Sequence, residues 1–218
     1  MDTKIIKSEI LKNIFLLEFE TQLELASTFL RLQEYYESPQ FKGKIFTLNE
    51  YKDWYTKEKG KFSYYTDWGG FNIPSSIITS FTQGLFNPLS DKETNLINLF
   101  KEVPHPFYII GIHKELESHH KDKYLKHETA HGLYYTNSKY REKVENILSQ
   151  YDLVDFKNWL KSTGGYHEEV LDDECHAYAI AGSSKLDIKL PEEMIRALEN
   201  IHKETLELYT QNPDFKKS

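Results

Sequence analysis

His127-Glu128-Thr129-Ala130-His131 is the stretch that decides how the chain is interpreted, because it places two histidines four residues apart. Residues four apart on an α-helix project from the same face, so both imidazoles can reach one metal ion. Glu128 lies about 100° around the helix from His127, so its side chain does not point at the ion that the two histidines can bind. It is placed instead to act as a general base toward a metal-activated water. The stretch therefore predicts a helix that carries a metal site and a base.

The residues around this motif predict a strand followed by the metal helix. Residues 107–112 are apolar and rich in β-branched side chains, which is typical of a buried strand. Ser118 is expected to cap the beginning of the helix. Leu125, Thr129 and Leu133 point away from the histidines, which gives the helix a core face opposite its metal face.

A catalytic metal site needs a third protein ligand, and a second helix predicted over residues 167–181 offers one. On a helical wheel Glu174 falls in the middle of the apolar side, where an unpaired carboxylate is costly. Either a metal ion or a buried salt bridge to Arg or Lys would offset that cost. Asp172 and Asp173 fall with His176 on the opposite side, so we expect them to be solvated and dispensable for metal binding.

The combination of His127-Glu128-x-x-His131 with a downstream Glu174 resembles the zincin metallopeptidases of the gluzincin kind. The resemblance implies zinc as the cofactor, with His127, His131 and Glu174 as its ligands and Glu128 as the general base and acid. Thermolysin-like members place an aspartate four residues after the ligand glutamate, where it orients a histidine ligand. This chain has Tyr178 at that position, and a tyrosine hydroxyl could take over the orienting role.

Two related metal-binding patterns do not fit the sequence. An H-E-x-x-H-x-x-G-x-x-H site needs glycine and histidine where this chain has Tyr134 and Asn137. Peptide deformylases supply a cysteine from upstream of the motif, whereas the single cysteine here, Cys175, lies downstream of it. A downstream carboxylate therefore remains the preferred third ligand.

The predicted activity is zinc-dependent hydrolysis of a peptide bond, with a peptide or protein as the substrate. Tyr178 and His167 lie on the same helical stripe as Glu174, and either could donate a hydrogen bond to the developing oxyanion. Two alternatives stay open: a metal-dependent hydrolase of a non-peptide amide, and a zincin-like protein that binds or regulates a partner without catalysis. An intact Glu128 counts against the second, because a purely structural metal site has no use for a base.

Composition and charge narrow the class of protein further. The 218 residues are 39% hydrophobic and 28% charged, which is typical of a globular chain. A net charge of −7, with no basic stripe, makes a nucleic-acid partner unlikely on electrostatic grounds. One cysteine fits a reducing compartment. The start lacks the apolar run of a signal peptide and no segment reaches membrane-spanning length, so we expect a cytoplasmic protein with no membrane partner.

The expected fold is α+β and predominantly helical, with a small sheet packed on the motif helix and a helical C-terminal half. We expect one domain over residues 1–218. Within it, 1–106 has no assigned role, 107–182 forms the zincin-like metal-binding core, and 183–218 adds a helix and a tail.

The first hundred residues give local predictions only. Capping boxes at residues 47–50 and 90–93 predict two helix starts. Residues 44–46 and 62–66 are predicted as short strands. The glycine-containing loop at 67–74 is either a tight turn held by aromatic packing or the rim of a substrate cleft.

Overall fold

The chain is described by a computed structural model that covers residues 5–164, 166–182 and 188–211, without the side chains of residues 118–120. The strands and longer helices, in chain order, are β1 (Ile6–Leu11), β2 (Ile14–Phe19), α1 (Gln22–Glu37), α2 (Leu48–Lys59), α3 (Tyr64–Asp67), β3 (Gly70–Pro74), α4 (Ser75–Thr82), α5 (Asp91–Asn98), β4 (Tyr108–His113), α6 (Ser118–Thr136), α7 (Ser138–Leu148), α8 (Val154–Trp159), α9 (Leu171–Ala181) and α10 (Glu192–Gln211). A π-helical turn (Leu160–Gly164) follows α8, and a 3-10 turn (Glu168–Val170) leads into α9. The predicted α+β, predominantly helical class is confirmed.

The four strands form one mixed sheet in the order β1-β2-β4-β3. Strands β3 and β4 are antiparallel, with Phe71 opposite Gly111. A side chain at Gly111 would come within 2.8 Å of Leu25 and Phe29 on α1, so this glycine lets the helix lie directly on the strand. The strand predicted over residues 107–112 is confirmed as β4, which is buried along its whole length.

Two predicted strands in the first hundred residues are wrong. Residues 44–46 have no regular structure, and the segment predicted as a strand at 62–66 leads instead into the short helix α3. Its aromatic residues favour strands by composition, but Tyr64 is only 1% exposed and is held by packing against other rings. The strand lies further on, because the second half of the 67–74 loop forms β3.

Both capping boxes are confirmed. Thr47 and Ser90 each accept a hydrogen bond from the backbone three residues on, and the glutamates at those positions bond back. Glu93 of the second box also pairs with Arg31, at 2.6 Å in a buried salt bridge. The start of α5 is therefore tied both to its own cap and to α1.

The chain divides into two compact units. The first contains the described residues of Met1–Ser8 together with Phe15–Leu116, and its core is dominated by aromatic side chains. The second contains Glu9–Ile14 and the described residues of Glu117–Ser218. Strand β4 thus belongs to the first unit and the motif helix to the second, and a single domain stays a prediction.

The second unit is built around α6, which carries the H-E-x-x-H stretch. Helices α7 and α9 pack against α6, and α10 packs against α7 and α9. A side chain at Gly132 would come within 2.9 Å of Ile14, so glycine allows close contact between these two residues of the unit. Beyond this contact, packing of the sheet on the motif helix stays a prediction. Within the described ranges, no helix is long and apolar enough to cross a membrane.

Candidate metal centre

The two histidines of the motif face each other on α6. Their Nε2 atoms lie 3.1 Å apart and their ring centroids 4.7 Å apart, as expected for side chains one helical turn apart. The helix begins at Ser118 and Glu117 occupies its cap position, so the prediction that Ser118 is the cap is wrong by one residue. The motif helix itself is confirmed.

Glu174 reaches the same point from α9. Its side chain is 6% exposed, with Oε2 3.8 Å from Nε2 of His127 and Oε1 3.6 Å from Nε2 of His131. The candidate ligand atoms of the three residues all lie within 4.8 Å of one another. The residues predicted as ligands are therefore brought together closely enough to hold a metal ion.

The distances between these atoms fit a metal ion. Tetrahedral coordination at zinc–ligand distances of about 2.1 Å would separate neighbouring ligand atoms by about 3.4 Å. The two Nε2 atoms lie 3.1 Å apart, and those of His131 and His127 lie 3.6 and 3.8 Å from Oε1 and Oε2 of Glu174, so each imidazole faces a different oxygen of the carboxylate at a separation close to that value. Two imidazoles and one carboxylate are also a donor set that leaves a fourth coordination position for water.

The protonation preferences of the two imidazoles differ. Burial, together with the neighbouring His131, lowers the pKa of His127 to about 3, which keeps this ring neutral. Burial also lowers the pKa of His131, but the Asp173 and Glu174 carboxylates outweigh it and raise the pKa well above its usual value. A metal ion would take the place of the proton that His131 otherwise holds.

The Glu128 side chain is buried on the same helix as the two histidines. It is 4% exposed, and its Oε2 has no hydrogen-bond partner among the described residues. Burial raises the pKa of its carboxyl to about 7, against the lowering influence of His131 and Tyr124. A carboxyl with a pKa near neutrality can both accept and return a proton, which is what a general base and acid must do.

Asp173 corrects the prediction from the helical wheel. Its side chain is only 17% exposed, and Oδ2 lies 2.9 Å from Nδ1 of His131. This hydrogen bond fixes the proton on Nδ1 and leaves Nε2 of His131 free to face the metal position. The aspartate that orients His131 thus comes directly before the candidate ligand Glu174 and not four residues after it, so the site is arranged differently from the thermolysin-like pattern and Tyr178 is not needed to orient His131.

The expectation that Asp173 and His176 are solvated fails because α9 is enclosed on several sides. Helices α6, α7, α8 and α10 all contact it. His176 is 0% exposed, in contact with Asp173 and with Tyr140 of α7. A helical wheel separates polar from apolar residues, but here both sides face protein. A histidine three residues after an aspartate, on the same face, was the available signal for a buried pair.

The two candidates for oxyanion stabilisation occupy different surroundings. The ring centroid of Tyr178 lies 5.0 Å from that of His127, and burial and the Glu174 and Glu128 charges raise the tyrosine pKa. The His167 side chain is 57% exposed, accepts a hydrogen bond from the Glu169 backbone, and lies 3.7 Å from the Glu169 carboxylate. The geometry therefore favours Tyr178 for this role.

Aromatic side chains continue outward from Tyr178. The rings of Phe156 and Trp159 on α8 each lie 6.2 Å from it, and the Tyr166 hydroxyl is 3.4 Å from its hydroxyl. Trp159, Tyr166 and Tyr178 are partly exposed, so they give an accessible aromatic surface around Tyr178, which lies beside His127. Trp159 and Tyr166 do not stand out in the sequence, because nothing in their spacing links them to the motif.

Comparison with protein-family models, curated proteins and solved structures finds no match to the chain. The interpretation of this site depends on the geometry of its own residues.

Proposed function

We propose that the protein is a zinc-dependent metallopeptidase. The observation that carries the proposal is the convergence of His127, His131 and Glu174 on one point, with the buried carboxyl of Glu128 directly after His127 in sequence. The three ligands support a metal ion with one open position, and Glu128 supplies a base that such a site needs only for chemistry.

Zinc held by the three ligands would act as a Lewis acid toward both water and the scissile carbonyl. Glu128 accepts a proton from the attacking water and donates it to the nitrogen of the leaving amine as the C–N bond breaks. The Tyr178 hydroxyl donates a hydrogen bond to the oxyanion that develops on the carbonyl oxygen. Asp173 keeps His131 in the tautomer that presents Nε2 to the metal.

The aromatic surface beside the site supports a peptide as the substrate. Tyr178 lies beside His127, and the partly exposed rings of Trp159 and Tyr166 lie beside Tyr178, where they can pack against an apolar side chain of the substrate. A peptide presents such side chains on either side of the scissile bond. We infer that the cleavage preference is for a bulky apolar residue near that bond.

The proposal is tested by metal analysis combined with cleavage of a mixed peptide library followed by mass spectrometry. We expect one zinc per chain and cleavage next to apolar residues, and both should be lost after chelation. Glu169→Gln, which changes an exposed glutamate of the same unit, serves as the control and should cleave normally. A purified protein that takes up no zinc would overturn the proposal, as would a zinc-loaded protein that cleaves no peptide.

A further inference from the structure

A line of buried polar groups begins at Asp173 and leads away from the metal centre through two further helices. Oδ1 of Asp173 lies 3.6 Å from Nδ1 of His176. Nε2 of His176 lies 2.7 Å from the hydroxyl of Tyr140 on α7, and that hydroxyl lies 3.1 Å from Nδ1 of His202 on α10. His176, Tyr140 and His202 are 0%, 2% and 5% exposed. The polar chain thus joins α9, α7 and α10, and the hydrogen bond of Asp173 to His131 connects it to α6.

The donors and acceptors along this polar chain are consistent with one assignment of the ring and hydroxyl protons. Asp173 is an acceptor only, and its Oδ2 accepts Nδ1–H of His131. Nδ1 of His176 lies 3.6 Å from Oδ1, which is too long for a hydrogen bond, and neither atom has a hydrogen-bond partner among the described residues. The nearby carboxylate still attracts a proton to Nδ1 of His176, which leaves Nε2 to accept the Tyr140 hydroxyl proton. The hydroxyl oxygen can then accept Nδ1–H of His202. The carboxylate therefore fixes the tautomer of His131 and favours one tautomer of His176 by its charge.

The polar chain also restrains how the Asp173 side chain can move. A carboxylate with a contact at only one oxygen can rotate away from its partner, whereas Asp173 is held at Oδ2 by His131 and faces His176 at Oδ1. The His176 ring is fixed by Tyr140 at one end and by stacking on Tyr134, with ring centroids 5.8 Å apart. Buried polar groups are costly unless they are satisfied, so removal of one member should loosen the next.

We propose that His176, Tyr140 and His202 are positioning residues for the metal ligand His131 and act on it through Asp173. The consequence is that metal affinity depends on a tyrosine of α7 and a histidine of α10, neither of which contributes a ligand. This inference rests on the proposed metal site, although not on the peptidase activity.

The variant that tests it is Tyr140→Phe, which removes the bridging hydroxyl and keeps the ring. Zinc affinity is measured by competition with a chromogenic chelator, and thermal melts of the chelator-treated protein report the effect on the fold. We expect zinc binding about tenfold weaker than in the wild type, within the range seen when groups behind a metal ligand are removed. Tyr134→Phe is the matched control, since its hydroxyl donates to Glu145 and its ring stacks on the same histidine.

A double-mutant cycle separates positioning from a general loss of stability. In an Asp173→Asn background, Tyr140→Phe should cause little further loss of zinc affinity, because the residue through which it acts is already changed. Equal weakening in both backgrounds would overturn the proposal, as would zinc affinity that stays at the wild-type value in Tyr140→Phe.

A second pair of variants keeps the test independent of how Tyr140→Phe folds. His202→Asn retains an amide N–H near the position of Nδ1 and should keep wild-type zinc affinity, whereas His202→Leu should weaken it. Equal affinity in the two variants would contradict the proposal. If the wild-type protein itself failed to bind zinc, the proposed function would fail first, and that result is distinct from a failure confined to the variants.

Discussion

Nδ1 of His131 on α6 lies 2.9 Å from Oδ2 of Asp173 on α9, so the residue that comes directly before one candidate ligand orients another. Adjacent residues on a helix project about 100° apart. Glu174 can therefore face the metal position while Asp173 faces the opposite nitrogen of the imidazole. Two adjacent residues of α9 thus supply one candidate ligand, Glu174, and the carboxylate that orients another, Asp173.

Asp173→Asn is expected to weaken zinc binding by about tenfold to a hundredfold, because the amide is a poorer acceptor for His131 Nδ1–H than the carboxylate. The fold should be retained, since the side chain keeps its size. Isothermal titration with zinc measures the change. The matched control is Asp172→Asn, whose side chain is about half exposed and pairs with Lys157. Equal zinc affinities in the two variants would mean that Asp173 does not orient His131 and is dispensable for metal binding, as its position on the helical wheel indicates.

Glu128→Gln is expected to keep zinc and to lose at least about a hundredfold in peptide turnover, because the amide cannot take a proton from water. Metal content by mass spectrometry and turnover of a peptide substrate are measured on the same preparation. Loss of zinc from this variant would show that Glu128 is a ligand, and the assignment of base and ligands would then be wrong.

Glu174→Ala is expected to weaken zinc affinity by about an order of magnitude or more, because it removes one of three ligands. In the presence of chelator, its melting temperature should stay close to that of the wild type. A salt bridge would give the opposite pattern, with metal retained and about 3 kcal/mol of stability lost as a buried partner is stranded. Glu169→Ala, at an exposed position of the same segment, is the control.

The sequence could predict which residues come together as candidate ligands, because each candidate depends on the local periodicity of one helix. His127 and His131 are one turn apart on α6, and Glu174 stands out as a carboxylate among apolar residues on α9. Asp173 was placed wrongly because its polar side of α9 faces other helices rather than water. Which side of a helix meets solvent is decided by tertiary packing, which the pattern within one segment does not contain.

The last helix gives a second example of this limit. Its sequence repeats apolar residues at Met194, Leu198, Ile201 and Leu208, which indicates one buried stripe, and the first two are fully buried. Leu208 is 67% exposed, whereas His202 is buried. The buried side of α10 therefore departs from this apolar stripe, toward a histidine that has its hydrogen-bond partner on another helix. A polar residue that is buried because of a distant partner leaves no apolar signal in its own segment.

Trp159→Ala is expected to raise KM for a peptide with an apolar residue at the cleavage position by about tenfold, because it removes apolar surface beside Tyr178. The value of kcat should change little, since Trp159 contributes no atom to the metal triad. Steady-state kinetics measure the two constants separately. Val154→Ala is the control on the same helix, at a position that is 61% exposed. An equal fall in kcat with KM unchanged would remove Trp159 from substrate binding.

His202 makes the stability of the protein dependent on pH in a predictable direction. Burial, with smaller contributions from His176 and Lys126, lowers the pKa of His202 to about 4, compared with about 6.5 for an unfolded histidine. The folded state therefore prefers the neutral ring. The stability gained from this preference is present above pH 6.5 and is lost progressively as the pH falls toward 4, by about 3 kcal/mol at pH 4.

His202→Asn removes the titrating ring, so the difference in unfolding free energy between wild type and variant should shrink by that amount as the pH is lowered from 7.5 to 4. Urea denaturation of the chelator-treated proteins across this pH range measures the difference. His167→Asn, which changes a histidine that is more than half exposed, is the control variant. A difference that stays constant with pH would mean that the ring of His202 is solvated, and the polar chain through Tyr140 would then lose its last member.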